Sequence, residues 1–385
     1  MIIAGVLAAF VLGTQAHKIN ITFGGVSTSG ANQSLSKNLD DQSIQEVYDV
    51  LREKFDGKLD TTKLIDGMKK GLVDSSGDPY TSYMSPTEAK LFNSQIEGSF
   101  EGIGAELGKE GDRPIVITPI EGYPAQKAGI KPKDTIIEID SQDTAGMAID
   151  EAVLKIRGEK GTKVTLKLLR SGELVTVEIT REEIKIPSVS FEVIENGTIG
   201  YLRLNQFGSD TNALADQAAR EFKTKGVKAV ILDLRNNPGG LLDSSTHIAG
   251  LWIENKTVVK EKRDGKVIDE LSSTGTPLLA GLPTVILANE GSASASEIVT
   301  GALQDYGLAT FVGVKTYGKG SVQELTNLEN GGVVKVTIAR WYTPNDKNID
   351  KEGIKPDVEV KPGNDPAVDS QRQKAIEILK GKTGN

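Results

Sequence analysis

Thr284-Val285-Ile286-Leu287-Ala288-Asn289-Glu290-Gly291-Ser292-Ala293-Ser294-Ala295-Ser296-Glu297 decides the fold. Its first five residues form an uninterrupted apolar and β-branched run, the pattern of a strand buried on both faces. A Gly/Ser turn ends the strand, and helical spacing continues from Ala295 to Leu303. Strand, turn and helix in that order are the repeat of an α/β core. The repeat recurs on either side. Upstream, Gly200-Tyr201-Leu202-Arg203-Leu204 reads as a strand, residues 213–222 as a helix, and Val230-Ile231-Leu232-Asp233-Leu234 as a second buried strand. The last is closed by Arg235-Asn236-Asn237-Pro238-Gly239-Gly240. Downstream, residues 310–314, 322–325 and 333–339 read as strands and 368–379 as a closing helix. Residues 185–365 are therefore expected to form a mixed α/β core, followed by a C-terminal helix and tail over 366–385.

The segment before the core changes character twice. Residues 38–95 carry helical spacing, first as Ile44, Val47, Tyr48, Leu51 and Phe55, then as Leu64, Ile65, Met68 and Leu72 behind Asp60. Gly77-Asp78-Pro79-Tyr80 breaks the pattern, and Ser85-Pro86 opens a third helix. Residues 96–184 instead hold short strands, a helix over 149–156 and a hairpin signal at Ser171-Gly172. The order of these elements, the loop Gly102-Ile103-Gly104 and the strand over 134–140 resemble a PDZ domain.

At the N-terminus, residues 2–13 are apolar. Twelve helical residues span about 18 Å, short of a bilayer core. With Thr14-Gln15-Ala16 behind it, the run reads as an export signal or a clipped membrane anchor over 1–16, ahead of a Ser/Gly/Asn-rich linker over 17–37. The expected location is extracytoplasmic.

Composition excludes several chemistries. The 385 residues include 45 Lys+Arg and 53 Asp+Glu, a net charge of −8, with two His and no Cys. That balance offers no footprint for nucleic acid. Without Cys there is no disulfide, thiol nucleophile or thiolate metal site. A His-based triad or zinc site would rest almost wholly on His247.

Three segments are candidates for chemistry. The Ser292 to Ser296 turn places serines at a helix N-terminus, where free N–H groups stabilise an oxyanion; it reads equally as a Ser-rich cap. Gly313 to Lys319 satisfies GxxxxGK, but Gly320 stands where Ser or Thr would hold magnesium and a strand follows, so no phosphate cradle is expected. Gly239-Gly240 ends a buried strand and can present N–H groups to an anion. A serine needs a base, and with histidine nearly absent lysine is the alternative. Its pKa must fall about three units to act at neutral pH, which burial supplies. Glu297 stands three residues after Ser294, so an SxxK arrangement is absent.

Taken in order, the Gly77-Asp78-Pro79-Tyr80 turn, the PDZ-like module, the 233–240 block, the serine block and Tyr317-Gly318-Lys319-Gly320 resemble the C-terminal processing peptidases, or tail-specific proteases, from about residue 40 to 360. The resemblance implies a crotonase/Clp-like Ser–Lys protease core with an inserted PDZ domain. It further implies Ser294 as nucleophile, Lys319 as general base, Gln323 orienting that lysine, and an oxyanion hole from the amides of Gly240 and Ala295. Asp305 matches an acidic family position. Gly102, Ile103 and Gly104 would bind the terminal carboxylate of a substrate, with Arg157 relaying occupancy. The implied partners are protein or peptide substrates with free, apolar C-termini, alongside a membrane, a second copy or a regulatory protein. No cofactor and no metal are implied. The competing readings are a non-catalytic PDZ adaptor and a crotonase-like acyl-CoA enzyme.

Overall fold

The computed structural model describes residues 41–363, 365 and 368–383. The expected leader at 1–16 and linker at 17–37 lie outside them. Among the described residues no helix is long and apolar enough to cross a membrane.

The chain begins with α1 (Asp41–Lys54), α2 (Thr61–Asp74), β1 (Ser82–Met84) and α3 (Pro86–Ile96). Asp60 caps α2 by accepting the Thr62 and Lys63 N–H groups. At α3, Glu88 reaches back to the Ser85 N–H at 2.8 Å, a capping-box contact. The helical spacing of α1 and α2 does not mark a core among the described residues. Val47, Phe55, Met68 and Leu72 are all exposed.

The next unit holds β2 (Ser99–Gly102), β3 (Ala105–Glu110), β4 (Arg113–Pro119), α4 (Pro124–Lys127), β5 (Thr135–Ile139) and β6 (Gln142–Asp143). It continues with α5 (Ile149–Ile156), β7 (Lys163–Arg170), β8 (Glu173–Thr180) and β9 (Glu182–Lys185). Strands β3-β4-β5-β7-β8 form one sheet in that order, with β6 on β5. Ser171 and Gly172 both adopt positive φ between β7 and β8, the geometry of a tight two-residue hairpin. Ile136, Leu166, Leu168 and Ala152 fill a core of the unit's own. Strands β2 and β9 pair as a separate ribbon, Gly102 opposite Glu182, where the chain enters and leaves the module. Beside that ribbon, the buried Arg181 guanidinium donates to the carbonyls of Ile156, Lys163 and Lys155, tying α5 to β7.

The remainder is the larger core. It runs β10 (Val189–Ile194), β11 (Ile199–Leu204), α6 (Thr211–Thr224), β12 (Ala229–Asp233), α7 (Leu242–Gly250), β13 (Thr257–Arg263) and β14 (Lys266–Ser272). Then come β15 (Thr284–Ala288), α8 (Ala295–Asp305), β16 (Ala309–Gly313), β17 (Ser321–Asn327), β18 (Val333–Tyr342), β19 (Val358–Glu359) and α9 (Ser370–Thr383). One sheet is ordered β10-β11-β12-β15-β16-β19, parallel from β11 to β19. Residues of α6, α7 and α8 pack on one face of it, and Ala375 and Leu379 of α9 on the other. Both faces are covered, which is why β12 and β15 read as unbroken apolar runs. A second sheet, β1-β18-β13-β14 with β17 also on β18, places strand β1 of the N-terminal unit against the core.

Candidate active site

The site forms where β12 and β15 end side by side, Asp233 opposite Leu287. The carboxyl ends of adjacent parallel strands are the usual place for a ligand crevice in such sheets. Their two loops are laced together. Asn236 and Asn289 exchange hydrogen bonds at 2.8 and 2.9 Å, and the Ala293 N–H donates to the Asn237 carbonyl. Ser292 Oγ donates to the Leu234 carbonyl and Ser296 Oγ to the Asn237 carbonyl. Both hydroxyls are thus engaged in holding the loops. Ser294 Oγ, between them, is buried and has no hydrogen-bond partner among the described residues. Its backbone stands at φ 57°, ψ −115°. A non-glycine residue there is strained by about 1–3 kcal/mol, as at the sharp strand-to-helix turns that expose a nucleophile. Ser294 occupies the N-cap position of α8 without capping it.

Glu297, in the first turn of α8, organises the site. Its Oε2 accepts the N–H groups of Ser294 (2.8 Å) and Lys319 (2.9 Å), and its Oε1 accepts Gly318 N–H (2.7 Å) and Thr316 Oγ1–H (2.6 Å). One carboxylate therefore ties the serine turn to the loop bearing Lys319. Burial pushes Glu297 up, against these four donors. The Tyr317 N–H adds a bond to the Ser292 carbonyl at 3.0 Å.

Lys319 is 3 % exposed. Burial, aided by the neighbouring Lys335 ammonium and opposed by Glu297, brings its ammonium down to about 7. Tyr80 of the N-terminal unit lies under Lys319 Nζ, 5.5 Å from the ring centre. Lys335, on β18, is itself brought down to about 8 by burial, against attraction from Asp78. Strand β17 follows Gly320 where a phosphate-binding loop would need a helix.

Gln323 does not hydrogen-bond Lys319. Its Nε2 donates to Thr337 Oγ1 at 2.6 Å, and its buried Oε1 has no partner among the described residues. Thr337 in turn donates to Asp78 Oδ2, which also accepts from Thr81 Oγ1 at 2.6 Å.

The glycine pair lies directly on the serine turn. A Cβ on Gly239 would meet Ser294 Cβ at 2.8 Å, and one on Gly240 would meet the Phe207 carbonyl at 2.1 Å. Gly239 N–H is engaged by Asn237 Oδ1. The N–H groups of Gly240 and Ala295 donate to nothing among the described residues; that of Ala295 opens α8, where the first amides have no intrahelical acceptor.

Asp305 stands apart from these groups. It ends α8, eleven residues from Ser294, hence about 16 Å along the axis. Its carboxylate accepts from Asn345 N–H and Lys347 Nζ and so pins the turn after β18. His247 is also remote in role, its Nε2 lying 2.9 Å from Asp216 Oδ1. The sequence assigned no site role to Glu297, Tyr80, Asp78, Thr337 or Lys335. Asp78 and Tyr80 carried a signal in the Gly77-Asp78-Pro79-Tyr80 turn, and Glu297 in its place three residues beyond Ser294; Thr337 and Lys335 carried none.

In the smaller module, Gly102, Ile103 and Gly104 form the loop into β3. Gly104 has φ +73° and Tyr123 against it, and the Ile103 carbonyl accepts Ala125 N–H at 2.7 Å. Strand β3 is the edge of its sheet, facing an open hydrogen-bonding row. The Arg157 guanidinium stacks 4.6 Å above Phe100, its side chain against Gly102, and burial lowers its pKa.

The molecule is a two-sheet α/β core carrying an inserted PDZ-like module, with a strained serine tied through Glu297 to the loop of a desolvated lysine. Residues 198–360 match the model of peptidase family S41, residues 93–169 that of the PDZ domain, and residues 4–87 that described as the activating protease CtpB N-terminal domain. Over 335 residues the chain is 40% identical to a probable CtpA-like serine protease of Staphylococcus aureus, covering 86% of this chain and 66% of that protein. A Staphylococcus epidermidis protein of the same description is 38% identical, with 86% and 67% covered. The solved photosystem II D1 C-terminal processing protease is 28% identical with a TM-score of 0.55, covering 90% of this chain and 92% of that one. The chain belongs to the C-terminal processing peptidases of family S41.

Proposed function

We propose that this chain is a serine endopeptidase that uses Ser294 as nucleophile and Lys319 as general base, and that captures protein C-termini through its PDZ module. The observation that carries this reading is the unpartnered Ser294 Oγ on a strained turn, joined through Glu297 to the loop of a lysine brought down to about 7. At that pKa a neutral amine is abundant at physiological pH.

Neutral Lys319 Nζ takes the Ser294 proton as Oγ attacks the scissile carbonyl. The Gly240 and Ala295 N–H groups, which have no other acceptor among the described residues, receive the oxyanion. The Lys319 ammonium then protonates the leaving amine, the C–N bond breaks, and water resolves the acyl-Ser294 ester with Lys319 again as base. Gln323 Oε1 is an idle acceptor suited to hold the Lys319 ammonium between these steps.

For recognition, the substrate tail adds a strand to β3 and lays its carboxylate in the Gly102-Ile103-Gly104 loop. Arg157, stacked behind that loop, supplies the counter-charge and the route by which occupancy reaches the core. In domain terms the division is 38–95 helical unit, 96–184 PDZ module, 185–365 peptidase core and 366–385 closing helix. The apolar run at 2–13 supports an extracytoplasmic location.

Ser294→Ala and Lys319→Ala should each cut cleavage of a tailed, unfolded protein by at least about 10³-fold, while tail-peptide affinity is retained. Wild-type turnover in either variant would end the proposal.

A further inference from the structure

Three groups from three parts of the chain make one directed chain of hydrogen bonds. The Asp78 carboxylate, on the turn between α2 and β1, accepts from Thr337 Oγ1 on β18. Thr337 Oγ1 accepts from Gln323 Nε2 on β17 at 2.6 Å. The Gln323 Oε1 at the end is unpartnered in a side chain that is 1 % exposed. Tyr80, two residues after Asp78, covers Lys319. The turn is held in register by β1, whose Ser82 pairs with Lys335, and by the Thr337 N–H donating to Thr81 Oγ1.

The direction of the chain follows from what each group is able to do. An ionised carboxylate only accepts. Thr337 has a single hydroxyl proton, and Asp78 takes it. The Thr337 oxygen is then an acceptor toward Gln323, so the amide must present its NH2 there and its carbonyl at the other end. Burial alone would raise Asp78, but hydrogen bonds from Thr337, Thr81 and the Tyr80 N–H, with Arg340 nearby, hold it below its usual range. It is ionised wherever Lys319 is neutral.

We propose that Asp78 and Thr337 are positioning residues for the catalytic lysine: they lock the Gln323 amide with its oxygen available to the Lys319 ammonium, so that the N-terminal unit completes the active site. This rests on the Ser294–Lys319 reading above. The lock matters because an unlocked amide turns over freely, and an NH2 facing an ammonium repels it. The other charged groups facing the pair are Lys335 and Glu297 around Lys319, and Lys335 and Arg340 around Asp78.

The test is the pH profile of kcat/KM, with kcat and KM separated, for wild type, Thr337→Val, Thr337→Ser, Asp78→Asn and Lys319→Ala. Urea midpoints and tail-peptide affinity are measured on each. Thr337→Val should lower kcat about tenfold with KM nearly unchanged. Its acidic limb should move to lower pH, because the ammonium loses an acceptor and is easier to deprotonate. Thr337→Ser should restore both. Asp78→Asn, whose amide both donates and accepts, should fall between, and decides the question if Thr337→Val does not fold. An unmoved acidic limb with wild-type kcat in Thr337→Val or Asp78→Asn overturns the lock while an inactive Lys319→Ala leaves the dyad standing. An active Lys319→Ala would overturn the dyad itself.

Discussion

Among the serines of the 292–296 run, hydrogen-bond occupancy separates one from its neighbours. Ser292 and Ser296 close the loops of β12 and β15, and Ser294 closes nothing. The lysine is distinguished by burial, and this has a consequence for stability. Its pKa is about 7 folded and near 10.4 in the unfolded chain. Between those values the unfolded state holds more protons, so the Lys319 contribution to stability improves as pH rises from about 7 toward 10. Below pH 7 the buried ammonium is a full penalty. Lys319→Met should therefore stabilise by a few kcal/mol at pH 6 and by little at pH 10, read from urea midpoints. Equal gains at both pH values would contradict the desolvation of Lys319. Glu297→Gln tests the hub. A carboxamide keeps one acceptor, and its NH2 then meets two N–H or O–H donors. The cost expected is about 2–4 kcal/mol from unpaired buried donors, together with loss of turnover. A stable, active Glu297→Gln would mean that the four hydrogen bonds do not hold the site.

The elements divide into those with a local signal and those without one. Strands β12 and β15 and helix α8 were legible because both faces of the sheet are covered, so burial is written as continuous apolar runs. The smaller module was legible through its alternation and its Ser171-Gly172 turn. Helix α7 was missed because Leu242 to Gly250 is buried nearly all round among small polar residues, leaving no periodicity. Strands β13 and β14 were missed for the opposite reason: charged residues line their exposed face. Helices α1 and α2 show the limit of periodicity, since an apolar stripe declares that something is to be covered and not by what. Asp305 carried no local signal of its place, because its buried carboxylate serves a turn at the far end of the helix. The proposed capture of a terminal carboxylate by the 102–104 loop is testable. Gly104→Ala places a Cβ 2.6 Å from Tyr123 Cβ at φ +73°, which moves the loop that would meet the tail. Tail-peptide affinity by anisotropy should fall about tenfold, with little change in cleavage of an untailed peptide. An unchanged affinity would place tail recognition elsewhere.

In the whole molecule, the two cores share no residue, and the PDZ module is joined through the β2–β9 ribbon in which Gly102 faces Glu182. That geometry allows the module to be replaced by a two-residue turn between those positions. The shortened chain should keep the urea transition of the core, and it should cleave free and amidated tails at the same reduced rate. Retained discrimination against amidated tails would show that the core itself reads the carboxylate. Asp78 and Thr337, which join the N-terminal turn to strand β18, lie more than 250 positions apart. No local pattern in a sequence reports such a pair; only the pairing of β1 with β18 brings it together.

Activation of Ser294 by Lys319 is read from the rate of Ser294 labelling by a fluorophosphonate as a function of pH, located by mass spectrometry. Labelling on Ser294 alone should rise through a single step near pH 7, following the Lys319 amine, and should be absent in Lys319→Ala. Labelling that persists in Lys319→Ala, or that falls on another serine, would contradict it.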